Sequence, residues 1–305
     1  MDERRTTPHL DLPLHRLQVP LPHLLPFAIG SFDAIGPLSR AGFPHRHAFY
    51  EIVFVTGGRG AHVLDLVQRP VQPPQLCVIT PGQVHYWADA DDLTGQVVLF
   101  NEDFLLSHPQ DLAALRTLAS RPAVRLGDQA APIAGLLADM EAEYRARPAG
   151  YPGVLRASLH ILVVRALRAC TPGGPGALPG RTGDLAAAFT RLIATPGGVQ
   201  RSVASCAHEL GVSSGHLQAM VKQATGRTPG RLIRQQQTLE AKRLLACTEL
   251  TVRQVSREAG FGDPAYFCRF FRRETGMTPG EFRAKVGGNH HDPRITSIAA
   301  APGAP

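Results

Sequence analysis

The chain has 305 residues, 44% of them hydrophobic, with 32 Lys and Arg against 25 Asp and Glu and a formal net charge of +7. That size fits about two ordinary globular domains, and with no apolar run of about 18 residues a membrane-spanning helix is excluded. Five scattered cysteines with no Cys-x-x-Cys pair exclude a disulfide framework or a zinc knuckle.

Residues 1–43 are rich in Pro and His and read as an irregular arm with room for one early strand. Arg4 and Arg5 are followed by Pro8, His9, Asp11, Pro13 and His15 rather than by the apolar stretch of a secretory leader, so a cytoplasmic place is expected. Residues 48–100 read as β: Tyr50 to Val55, a turn at Gly57, Gly58 and Gly60, then Ala61 to Val67, Leu76 to Thr80 and Gly95 to Phe100. Short strands at this spacing predict a sandwich or barrel. Helical periodicity follows. Ile133, Leu136, Leu137, Met140 and Tyr144 make one stripe and Leu155, Leu159, Leu162, Val163 and Leu167 a second. Pro148, Gly150, Pro152 and Gly153 separate the two. The pair is expected to pack on the sheet, to form a dimer seam, or both. Thr171 to Arg181 holds four Gly and three Pro and reads as a linker.

The basic excess lies beyond it. Residues 1–180 carry 15 Lys and Arg against 16 Asp and Glu, net −1, and residues 181–305 carry 17 against 9, net +8. Such asymmetry points to an anionic polymer as partner of the C-terminal part. That part contains an internal repeat. Gly226-Arg227-Thr228-Pro229-Gly230 recurs as Gly276-Met277-Thr278-Pro279-Gly280, and Gly211-Val212 as Gly260-Phe261. Each copy reads as helix, tight turn, helix. Gly211 and Gly260 end the first helices, and Ser213 and Asp263 cap the second. Leu217, Met220 and Val221 form the inner face of one second helix, and Phe267, Phe270 and Phe271 that of the other. The opposite faces carry Gly215, Gln218, Ala219 and Lys222 in the first copy and Ala265, Cys268, Arg269 and Arg272 in the second. Such a face suits the major groove. Gln218 is placed to read adenine and Arg269 to read guanine, with Arg272 and Arg273 as phosphate clamps. Ser213, His216 and Tyr266 complete the candidate DNA-contacting set. Asp184 is read as the cap of a preceding helix. A long helix opened by Thr228-Pro229 joins the copies and would set the recognition helices about one DNA turn, ~34 Å, apart.

Residues 184–286 resemble the AraC/XylS DNA-binding domain. Val255-Ser256, Gly260-Phe261, Tyr266-Phe267, Arg269, Phe271, Gly276, Thr278-Pro279 and Phe282-Arg283 carry the resemblance. Gln237-Thr238, Val221 and Ala219 depart from the usual pattern, so sequence reading is expected to rest mainly on the second copy. Residues 43–104 resemble the cupin-type sensor domain of such regulators, through Pro44-His45-Arg46-His47-Ala48-Phe49-Tyr50-Glu51, Gly57-Gly58 and Thr80-Pro81-Gly82-Gln83-Val84-His85. The same stretch is similar to the metal-binding cupin motif, which would make His45, His47, Glu51 and His85 a ligand set. Against metal, Pro81-Gly82 replaces a spaced Pro-x-Gly, and no Asn follows His85 by four. Three roles are therefore open for these side chains: lining an effector pocket, a purely structural role, or binding metal. We expect no metal and no cofactor.

The resemblance implies an α+β multidomain chain. Residues 1–130 would be a cupin-like effector-binding β-barrel with its arm and 131–170 a helical dimerisation pair. A linker at 171–183, a double helix-turn-helix domain at 184–286 and a disordered tail at 287–305 would follow. The function expected is a DNA-binding regulator controlled by a small-molecule effector, not an enzyme. Its partners would be double-stranded DNA, the effector, a second copy of the chain and RNA polymerase. The alternatives are a metal-dependent cupin enzyme fused to a DNA-binding domain, and a constitutive DNA binder.

Overall fold

The computed structural model describes residues 14–19, 25–105, 108, 110–121, 123–170, 182–194, 200–286 and 298–299. In the N-terminal half, β1 (Leu14–His15), β2 (Leu17–Gln18) and β3 (Phe27–Ser31) precede a single helical turn, α1 (Phe32–Ile35). Then come β4 (Arg46–His47), β5 (Tyr50–Leu64), β6 (Val67–Pro70), β7 (Gln75–Ile79) and β8 (His85–Phe100). Next are α2 (Asp111–Ala119), β9 (Val124–Arg125), α3 (Ala130–Ala146) and α4 (Tyr151–Cys170).

A six-stranded antiparallel sheet runs in the order β3-β8-β5-β7-β9, with β6 added to β5. Strand alternation gives it two apolar faces. Ile52, Phe54, Leu76, Val78, Val98 and Phe100 look to one face, where Leu112, Leu115, Ile133, Leu137, Leu155, Leu159 and Leu162 of the helices pack on them. Val53, Val55, Cys77, Ile79, Val97 and Leu99 look to the other, onto Phe32, Ile35, Leu38 and Trp87. The apolar stripes of α3 and α4 are thus consumed inside the chain. Of the large apolar side chains on α4, Val154 and Ile161 are exposed, at 48% and 42%.

The turn read at Gly57, Gly58 and Gly60 does not form. β5 continues through it, paired with β8 across register shifts between Val55 and Ala61. The glycines serve bulges that bend the strand. Gly58 and Gly60 have φ of 100° and 120°, and a Cβ on either would stand 2.7 Å from backbone atoms of β8. The reversal comes instead at Asp65 and Leu66, with φ of 48° and 69°. Pro152 and Gly153, read as part of a break, lie in the first turn of α4, where a missing N–H costs nothing. Helix α2 lies in a stretch for which the sequence reading offered no element.

The C-terminal half is helical: α5 (Thr182–Ala194), α6 (Val203–Glu209), α7 (Ser214–Thr225), α8 (Pro229–Cys247), α9 (Val252–Glu258), α10 (Pro264–Thr275) and α11 (Pro279–Val286). Helix α5 starts two residues before Asp184, so Asp184 is inside the helix rather than its cap. Thr228 caps α8 through the N–H of Arg231, and Thr251 opens α9 with a capping box to Gln254. Two cores share α8. Ile233 joins Phe189, Ile193, Cys206, Leu217 and Val221 in one. Ala241, Leu244 and Leu245 join Val255, Phe267, Phe270, Phe271 and Phe282 in the other. The linker read at 171–183 falls outside the described residues except for the start of α5. So does the tail read at 287–305, except for β10 (Ile298–Ala299), which pairs in parallel with β2. No described helix is long and apolar enough to cross a membrane.

Candidate functional site

The repeat folds into two equivalent helix pairs, α6–α7 and α9–α10. Gly211 and Gly260 turn the chain with φ of 68° and 84°, a left-handed conformation that glycine adopts without strain. The Ser213 hydroxyl accepts from the His216 N–H, and the Asp263 carboxylate accepts from the N–H groups of Ala265 and Tyr266. Leu217 and Val221 bury one side of α7, and Phe267, Phe270 and Phe271 one side of α10. Gly215, His216, Gln218, Ala219 and Lys222 are exposed on α7, and Ala265, Tyr266, Arg269 and Arg272 on α10. Cys268, read as part of the outer face, is half-buried and packs against the second core. Arg273 is exposed yet engaged: it pairs with Glu274 at 3.0 Å and lies over the Phe270 ring at 5.4 Å. Those contacts hold it off the face that Arg269 and Arg272 share.

The four side chains singled out in the N-terminal half do come together, but not along one strand. Strand β4 ends at His47, the chain bends at Ala48 and Phe49, and β5 carries Glu51. His45 reaches the group by backbone pairing with His85, its N–H donating to the His85 carbonyl at 3.2 Å and the return bond at 3.0 Å. The ring centroids of His45 and His85 are 4.2 Å apart. All four side chains are sealed, at 0–1% exposure. His47 Nε2 stands 3.0 Å from Glu51 Oε2, and His85 Nε2 3.6 Å from the same oxygen. A fifth member, His62, was missed. Its Nε2 lies 3.4 Å from His85 Nδ1, and its ring stacks on Trp87 at 4.4 Å. The signal was a lone imidazole in the otherwise apolar run Ala61 to Leu64. Burial drives the His62 pKa down to about 4. Burial, and then the neighbouring histidines, drive that of His85 well below its ordinary value, so both are neutral imidazoles at physiological pH.

The two halves meet at α8. Arg46, between His45 and His47, bonds Glu240 at 2.6 Å. Arg243, only 3% exposed, bonds Asp65 at the β5–β6 turn at 2.7 Å and Glu240 at 3.3 Å. Asp65 also accepts from the Val84 N–H and the Gln83 amide. Val84, Ala246 and Cys247 make a small apolar cluster beside these pairs. A cavity of about 310 Å³ opens between the sheet and α5, lined by Tyr50, Thr80, Glu102, Arg116, Thr190 and Arg191 among others. None of His45, His47, Glu51 and His85 lines it.

Comparison with known proteins accords with this geometry. A family described as AraC-like ligand binding domain matches residues 33–150, and one described as helix-turn-helix domain matches residues 206–285. The HTH-type transcriptional activator RhaR of Escherichia coli O139:H28 is 27% identical over 248 residues, spanning 78% of this chain and 86% of the relative. Among solved structures, the DNA-binding domain of AdpA in complex with a target DNA is 25% identical with a TM-score of 0.29, covering 34% of this chain and 90% of that one. ToxT from Vibrio cholerae O395 is 13% identical with a TM-score of 0.39, covering 86% of this chain and 99% of that one. RhaR is an HTH-type transcriptional activator.

Proposed function

The chain belongs to the AraC family of transcriptional regulators, with an AraC-like ligand-binding N-terminal domain and a helix-turn-helix C-terminal domain, and from that premise we propose that it reads a specific DNA sequence through α7 and α10 under the control of a small-molecule effector. The observation that carries this reading is the pair of capped helices whose apolar sides are buried and whose outer sides are exposed. Both are fixed to one helix, α8. A shared rigid helix keeps the two reading faces at a constant spacing, as two major-groove segments on one side of the duplex require.

Within each helix the roles divide by position. Arg269, on the exposed side of α10, offers a guanidinium fork to a guanine edge, and Gln218 on α7 an amide to adenine. Ala219 and Ala265 offer at most apolar contact with a thymine methyl. Ser213, whose oxygen accepts from its own helix, still has a hydrogen to donate to a phosphate. His216, Lys222, Tyr266 and Arg272 surround the reading positions as backbone contacts.

The cavity between the sheet and α5 is the place we assign to the effector. Arg116 and Arg191 bring positive charge to it and Glu102 negative charge, which suits a small polar molecule. A ligand there touches both halves and so acts on how they dock. A homodimer remains part of the proposal. Because the inner stripes of α3 and α4 are buried against the sheet, its seam moves to the outer face of α4, where Val154 and Ile161 stand seven residues apart. The regulator acts in the cytoplasm beside RNA polymerase. Binding of duplex DNA by the full chain, with affinity falling as salt rises, tests the reading; absence of salt-dependent binding contradicts it.

A further inference from the structure

The cavity between the sheet and α5 carries an unbalanced set of charges and hydrogen-bonding groups. Arg116 Nη2 is sealed from solvent and has no hydrogen-bond partner among the described residues. A buried charged donor left unpaired is costly. Burial lowers the Arg116 pKa, but a guanidinium keeps its charge even so. Tyr50 beside it supplies no counter-charge: burial, and then Glu102, raise its pKa, so it stays a neutral phenol. Arg191 already faces Glu102, at 3.5 Å. The charged side chains of the wall are Arg116, Arg191 and Glu102, two positive against one negative, which leaves one positive charge over.

Two hydroxyls of the same wall are turned the other way. Thr80 Oγ1 donates to Gln83 Oε1 at 2.9 Å, and Thr190 Oγ1 donates to the Ala186 carbonyl at 2.8 Å. Each hydroxyl has one hydrogen, so both keep only lone pairs to offer a further partner. One part of the wall therefore calls for an anion and another for an O–H or N–H donor. We propose that the cavity binds a small hydroxy acid as its monoanion, with the carboxylate on Arg116 and a hydroxyl donating to Thr80 or Thr190. One carboxylate cancels the surplus charge. A dianion would meet Glu102, and a zwitterionic amino acid would leave the surplus standing. A carboxylic acid without a hydroxyl would set carbon against the threonine oxygens. The volume of about 310 Å³ holds roughly ten water-sized groups at ~30 Å³ each, which fits a three- or four-carbon acid. Arg116 and Thr80 belong to the N-terminal half and Thr190 to α5, so one such molecule touches both.

Action of this ligand as the effector rests on the regulator reading; its binding does not. The experiment titrates the full chain by calorimetry with lactate, glycerate and 3-hydroxybutyrate, and with propionate, butyrate, propane-1,2-diol and alanine, each up to roughly 10 mM. We expect at least one hydroxy acid to bind one per chain, about tenfold or more tighter than its hydroxyl-free partner, the diol and alanine. Arg116→Gln should cost it roughly 10- to 100-fold. A Thr80→Val, Thr190→Val pair should bring it down to the affinity of the hydroxyl-free acid and leave the latter unchanged. Circular dichroism checks that the variants fold. In wild type, which needs no variant, bound hydroxy acid should slow the modification of Arg116 by phenylglyoxal, read by mass spectrometry. Binding by none of the hydroxy acids overturns the proposal. So does equal binding of the hydroxyl-free acids or of alanine, undiminished binding in folded Arg116→Gln, or an unprotected Arg116. DNA affinity is measured on the same samples. A several-fold change on adding the bound acid supports its action as effector, and a bound acid with unchanged DNA affinity removes that role alone. No DNA binding with or without the acid sinks the regulator reading and not the ligand.

Discussion

Arg269 and Arg272 lie on the same exposed side of α10, one turn apart, and the account gives them different work. Replacing Arg269 by Ala should relax base preference at one operator position at a cost of about 1–3 kcal/mol. Replacing Arg272 by Ala should weaken binding to all sequences and reduce the salt slope by about one. Site selection and salt-titrated anisotropy with each variant check the pair. The exposure of these two side chains was legible because the repeat, the caps and the three phenylalanines fix which side of α10 is buried. Arg273 was not, because its contacts with Glu274 and the Phe270 ring depend on rotamers that spacing does not reveal. The histidine set was legible as residue types, while His62 was hidden in an apolar strand. Glycine in β5 was misread: Gly-rich sequence signals both turns and bulges, and only the pairing of β5 with β8 decides between them. Gly60→Ala should accordingly cost about 2 kcal/mol or more, since at φ 120° its Cβ would meet β8 backbone at 2.7 Å. Urea unfolding measures it, and an unchanged midpoint would show that the bulge relaxes.

At the scale of elements, α8 matters most. The sequence showed it as the joint between the repeats, because Thr228-Pro229 opens it and both cores need a shared wall. Its grip by the N-terminal domain was invisible, since Arg46–Glu240 and Arg243–Asp65 join residues far apart in the chain. Arg243 is almost fully buried, so Asp65→Ala strips a buried cation of one partner while Glu240 stays at 3.3 Å. The expected cost is ~2–3 kcal/mol. Hydrogen exchange in α8 and in the β5–β6 turn should rise together. If exchange in α8 is unaltered, the ion pairs do not hold the domains together. Helices α3 and α4 teach the converse lesson. Their periodicity was read correctly, but an apolar stripe does not say whether it meets its own sheet or a second copy.

For the molecule as a whole, charge asymmetry and the repeat fixed where DNA binding belongs, and the sheet-and-helix pattern fixed the two-part architecture. Sequence could not show that the buried histidines and the cavity at α5 occupy separate places, because that depends on how the halves dock. If the outer face of α4 is the seam between copies, the full chain sediments as a dimer, and a Val154→Glu, Ile161→Glu pair makes it a monomer. A wild-type monomer at roughly tens of micromolar would remove the dimer from the account.

The central claim, sequence-specific DNA reading by α7 and α10 on a common α8, is tested most directly by selecting sites for the full chain from a random duplex pool and repeating the selection with Arg269→Ala and with Gln218→Ala. The account predicts an enriched motif with two read segments about one helical turn, ~10 bp, apart, each variant blurring a different segment. An unenriched pool, or a motif that both variants leave unchanged, would contradict it.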